Sequence, residues 1–139
     1  MNKKTHPPLS CHYVAEASGC NSEIISNIGK VQQILITAAE KANANICSVS
    51  FQRFPPSGVS GIVMISESHI SIHTWPEFGY VAIDFYTSGD LVKPKEGLDY
   101  AVGAFKASSF HITKITRGIK KEDGDFYHSF VTWEEDVEK

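Results

Sequence analysis

Gly58-Val59-Ser60-Gly61-Ile62-Val63-Met64-Ile65-Ser66-Glu67-Ser68-His69-Ile70-Ser71-Ile72-His73-Thr74-Trp75-Pro76-Glu77 reads as two consecutive strands, 59–66 and 69–75, meeting at Glu67-Ser68. Side chains alternate across a strand, so His69, Ser71 and His73 share one face while Ile70 and Ile72 take the other. Pro55-Pro56-Ser57-Gly58 and Pro76 punctuate the run. Further strands are expected at 44–54 and 79–87, the latter closed by Ser88-Gly89.

On the N-terminal side, residues 9–17 read as a first strand and Gly19-Cys20-Asn21-Ser22 as a turn, with Asn21 or Ser22 placed to cap a helix. Ile24, Ile25, Ile28, Val31, Ile34, Leu35, Ala38 and Ala39 then recur at helical spacing, predicting one helix to about residue 42. On the C-terminal side, Lys93-Pro94-Lys95 leads into a helix near 96–107, with Leu98, Ala101, Val102 and Phe105 on one face. A strand follows at 109–117. The tail beyond 122 is acidic, but Phe126, Tyr127, Phe130, Val131 and Trp133 offer part of it as a docked strand. This order predicts an α+β two-layer sandwich, with a mostly antiparallel sheet and helices on one face. The other face needs a cover, which a dimer partner would supply.

The chain has 139 residues and 42% hydrophobic content, enough for one domain and one core. A formal charge of −3 gives no basic field for nucleic acid. No stretch reaches the roughly 18 apolar residues of a membrane span. Residues 1–8 have two lysines but no apolar run, so they read as a frayed leader rather than a secretory signal. Cys11, Cys20 and Cys47 are odd in number and lack CxxC spacing, which suits free thiols in a cytoplasm.

Three polar side chains on one strand face suggest a site. A metal is disfavoured, because His69 and His73 stand roughly 13 Å apart at about 3.3 Å per residue. A serine hydrolase is disfavoured because the chain has no G-x-S-x-G elbow. An ordinary solvated sheet face remains open on residue type alone. By the same measure Phe54 reads as a sheet aromatic and Glu77 as a turn acid.

The eleven residues 67–77, preceded by Gly58-Val59-Ser60-Gly61 and followed by Gly79-Tyr80-Val81-Ala82-Ile83-Asp84, resemble the prokaryotic short form of S-adenosylmethionine decarboxylase. The likeness runs over roughly residues 9–117. It implies a proenzyme that cuts itself between Glu67 and Ser68, into a β chain 1–67 and an α chain 68–139. In that scheme the Ser68 hydroxyl attacks the Glu67 carbonyl, and elimination then leaves dehydroalanine, which hydrolyses to a pyruvoyl cap. By resemblance His73 is the base of this processing, and Ser60 hydrogen-bonds the oxyester. The pyruvoyl group from Ser68 is the implied cofactor, forming a Schiff base with the substrate amine, with no metal and no pyridoxal phosphate. Phe54 falls where the family stacks adenine, and Glu77 where it binds ribose. A dimer of αβ protomers is implied as well.

One position departs from the pattern. The family typically reads Thr-Cys-Gly where this chain has Thr87-Ser88-Gly89. That cysteine donates the proton to the product carbon, and a serine hydroxyl is a much weaker acid than a thiol of pKa about 8.5. Three readings follow: a working S-adenosylmethionine decarboxylase in polyamine synthesis, a relative retuned to arginine or ornithine, or a non-catalytic partner subunit. The processing residues favour the first.

Overall fold

A computed structural model describes residues 7–138 except Glu67, Asp90 and Ser129, with the backbone alone over 130–138. Glu67 and the first six residues of the expected leader therefore lie outside the described residues. The elements run β1 (Ser10–Ser18), α1 (Ser22–Ile25), α2 (Ile28–Lys41), β2 (Ile46–Phe54), β3 (Gly58–Ile65), β4 (Ser68–Trp75), β5 (Tyr80–Ser88), α3 (Pro94–Ala104), β6 (Ser109–Arg117) and β7 (Phe130–Glu138). The strands form one antiparallel sheet in the order β2-β3-β4-β5-β1-β6-β7. The expected α+β sandwich is the observed one, and the acidic tail supplies its last strand.

The predicted first helix is two. Asn21 caps α1 by accepting the Ile24 N–H, and Asn27 starts α2 by accepting the Lys30 N–H, both at 3.0 Å. Apolar spacing continues through Ile24, Ile25 and Ile28, so periodicity could not reveal the break. The second cap makes it, because an extended Asn27 backbone ends one helix while its side chain opens the next. The C-terminal helix begins at Pro94, whose fixed φ and missing N–H suit a first turn.

Val31, Leu35, Ala38 and Ala39 of α2 and Leu98, Ala101 and Val102 of α3 face the sheet. They meet Ala15, Ala17, Val63, Ile70, Ile72, Ile83, Phe85 and Ile112 in one core. Full burial of such aliphatic and aromatic side chains is worth about 1.5–3 kcal/mol each. Leu35 is wholly buried, and its truncation to alanine should cost about 2–5 kcal/mol. The helices approach closely at Gly97, where a Cβ would stand 2.6 Å from the Ala38 carbonyl oxygen. The opposite sheet face carries Glu16, Ser71, His73, Trp75, Asp84 and Tyr86, and no described helix packs on it.

Candidate functional site

Ser60 and His73 are direct partners across β3 and β4, on the open face. Ser60 Oγ lies 2.8 Å from His73 Nδ1, a full hydrogen bond. Two local features set this pair. Gly58 lets the start of β3 press against the Thr74 carbonyl, where any Cβ would collide. The buried Thr74 hydroxyl donates to the Ile25 carbonyl at 2.7 Å and accepts the Val59 N–H at 2.9 Å, tying the neighbours of both Ser60 and His73 to α1.

Aromatic rings line up beside the pair. Phe54, at the end of β2, meets His73 at 6.3 Å and Trp75 at 5.6 Å, both edge-on. Trp75 continues to Tyr80 at 5.5 Å, and the Tyr80 hydroxyl donates to Glu16. Burial, with the Glu16 carboxylate beside it, pushes Tyr80 up to about 12. Glu77 is exposed on the single turn Pro76–Phe78.

Ser68 stands at the other end of β4. It is 5% exposed, and its Oγ accepts the Ser88 N–H at 3.2 Å. An open cavity of about 380 Å³ lies beside Ser88, the residue whose N–H Ser68 accepts, and is lined by Asn43, Asn45, Ser66, Ser88 and Leu91 among others, without Ser68 itself. Ser88 is half-buried, opposite Ser10 of β1, and Ser10 accepts from the Tyr86 hydroxyl at 2.9 Å.

The structure thus brings Ser60, His73 and Phe54 together and Ser68 and Ser88 together, but leaves the two groups apart. Ser68 and His73 are five residues distant on one strand, roughly 16 Å at about 3.3 Å per residue, and alternation puts them on opposite faces. Sequence reasoning missed Trp75, Tyr80 and Glu16. The only signal for them was an alternation that puts Tyr80, Ala82, Asp84 and Tyr86 on one face; linking Glu16 to Tyr80 required the β1–β5 pairing. Among the described residues no three His, Cys, Asp or Glu converge as a metal site. No helix of the described chain is long and apolar enough to cross a membrane.

Fold and site define a two-layer α+β domain with a hydroxyl–imidazole centre on its open sheet face. The family described as S-adenosylmethionine decarboxylase matches residues 11–118. The S-adenosylmethionine decarboxylase proenzyme of Pyrococcus furiosus is 44% identical over 131 residues, 94% of each chain. That of Moorella thermoacetica is 49% identical over 111 residues, covering 80% of this chain and 89% of its own. The crystal structure of the Aquifex aeolicus adenosylmethionine decarboxylase superposes with a TM-score of 0.78 at 31% identity, covering 86% of this chain and 99% of that one. The chain belongs to the S-adenosylmethionine decarboxylase family.

Proposed function

We propose that this chain is a self-processing, pyruvoyl-dependent decarboxylase of S-adenosylmethionine, supplying the aminopropyl donor for spermidine synthesis. The observation that carries the reading is the Ser60–His73 hydrogen bond beside Phe54, in a chain of this family. Residues 1–67 and 68–139 are the two chains of the mature protomer. Three unpaired thiols suit a reducing cytoplasm as its setting.

The surroundings of Ser68 fit the cofactor it would become. The residue opens β4, so its own amide is the hinge between turn and strand, and the cavity beside Ser88 gives space for a substrate's amino and carboxyl groups. A pyruvoyl group there would supply an electrophilic ketone for a substrate's amine and an electron sink. The Ser88 N–H holds the attacking oxygen of Ser68 in place. In the tautomer whose Nδ1–H donates to Ser60, Nε2 of His73 carries the lone pair and would be the atom that removes the Ser68 α-proton. Phe54 offers a flat apolar face to adenine, and Glu77 offers two acceptor oxygens to ribose hydroxyls.

Because Ser68 and His73 cannot meet within one chain, the reading requires a homodimer. The Ser68 end of one protomer lies against the Phe54–Ser60–His73 end of its partner, and each open sheet face covers the other.

Intact mass should show two fragments parted between residues 67 and 68, and the protein should release carbon dioxide from S-adenosylmethionine in preference to arginine or ornithine. A single 15.3 kDa species would refute self-processing. Release from an amino acid alone would refute the substrate.

A further inference from the structure

Thr87 carries a hydroxyl that the fold leaves idle. The residue is 4% exposed, its Oγ1 is sealed from solvent, and no described residue hydrogen-bonds to that oxygen. A buried hydroxyl without a partner is unfavourable, and a valine would fill the same space without that cost. A threonine in such a place suggests a partner that is missing from the serine form of the chain.

Its position identifies the partner. On β5, Thr87 shares the helix-covered face with Val81, Ile83 and Phe85. The β4–β5 register pairs His69 with Tyr86, and one further step sets Ser68 opposite Thr87. Both side chains are buried on that same face. Residues directly opposite in an antiparallel pair hold their Cβ atoms about 4.5–5.5 Å apart. Yet the Ser68 oxygen takes the Ser88 N–H instead and leaves Thr87 unpaired.

We propose that Thr87 donates a hydrogen bond to the keto oxygen that maturation creates at position 68. The inference rests on the pyruvoyl reading. In that maturation the Ser68 oxygen departs on the carboxyl group of residue 67. The α-nitrogen leaves as ammonia, and water places a new oxygen on the former Cα. Before the cut that side of Cα holds an amide nitrogen, which accepts no hydrogen bond, and this accounts for the unpaired hydroxyl in the uncut chain. Once formed, the bond draws electron density from the keto carbon and makes it more open to attack by an amine, as donors do at other carbonyl centres.

The test compares wild type with Thr87→Val, Thr87→Ala and Thr87→Ser in three measurements: melting temperature, fraction cut by intact mass, and the rate at which hydroxylamine traps the carbonyl of the folded, cut enzyme. Thr87→Val should stay folded well above the assay temperature and be cut within about twofold of the wild-type rate, while trapping slows about 3–10-fold, the equivalent of one net hydrogen bond. Thr87→Ala should trap as slowly, and Thr87→Ser should trap like wild type. A purely structural hydroxyl would leave trapping unchanged in all three, and that result overturns the inference alone. Loss of cutting in Thr87→Val and Thr87→Ala would assign the hydroxyl to an earlier step and overturn it too. A wild-type chain that stays in one piece overturns the pyruvoyl reading and this inference with it.

Discussion

At its start β4 presents Ser68, buried on the helix-covered face and held by one backbone N–H. Near its end it presents His73 and Trp75 on the open face, in a row of rings running from Phe54 to Tyr80. The first end is rich in small hydroxyl side chains, with Ser10 and Thr87 buried, Ser88 half-buried and Ser66 exposed. The second is aromatic and exposed, with one hydroxyl–imidazole pair set firmly by Thr74. Making a cofactor from the backbone needs a fixed hydroxyl and little stray water. Gripping a nucleoside and moving a proton need open rings and a reachable imidazole. On the proposed function the chain keeps these demands on separate ends and separate faces, and neither end would be complete alone.

The sharpest way to break this comparison is to divide the ends between two chains. Ser68→Ala and His73→Ala should each remain uncut as homodimers. Co-expressed, the His73→Ala chain should be cut, because its Ser68 meets the intact His73 of its partner; failure of that rescue on intact mass would end the two-chain site. Next in size, Ser60→Ala should slow cutting about tenfold by removing one hydrogen bond to the base, and Ser60→Thr should recover part of the rate. Time courses on denaturing gels measure both.

Ser88→Cys probes the first end. A thiol of pKa about 8.5 gives up its proton more readily than a hydroxyl, so turnover should rise several-fold with less conversion of the cofactor to alanine. An unchanged ratio of carbon dioxide to inactivated α chain would place proton delivery elsewhere. Phe54→Leu probes the second end and should raise KM about 3–10-fold, matching the roughly 0.5–1.5 kcal/mol of an aromatic pair, while cutting proceeds as before. The smallest effect is on stability against pH. Tyr80 keeps its proton up to about 12 when folded, against an ordinary 10.0. Above pH 10 the unfolded chain loses that proton first, so stability falls between those values and levels beyond them. Tyr80→Phe should flatten that part of a melting curve series.

The strands were legible because alternation survives in short half-buried segments such as 69–75, where one face is polar and the other isoleucine. The α1–α2 break was not, since Ile24, Ile25 and Ile28 keep helical spacing across it and only Asn27 marks the cap. Ser60, His73 and Phe54 were legible as a motif, and the structure brings them into contact. That Ser68 lies far from His73 was implicit in their odd spacing on one strand, though the motif presents them as neighbours. Glu16 and Tyr80 are 64 residues apart and meet only because β1 inserts beside β5, a non-local pairing that no window of sequence reveals. Thr87 escaped for another reason: an unpaired hydroxyl is visible only once every neighbour has been placed.

The strand order has a consequence for a chain proposed to sever its own backbone. On the proposed cut, residues 1–67 keep β1, β2 and β3, and residues 68–139 keep β4 to β7. In the sheet these pieces interlace: β1 lies between β5 and β6, bonded to both along its length, and β3 is bonded to β4. All three cysteines sit on the first fragment, so no disulfide could bridge the two within a protomer. Neither fragment needs such a staple. Each holds the other like the fingers of clasped hands, and to separate them the whole sheet must come undone.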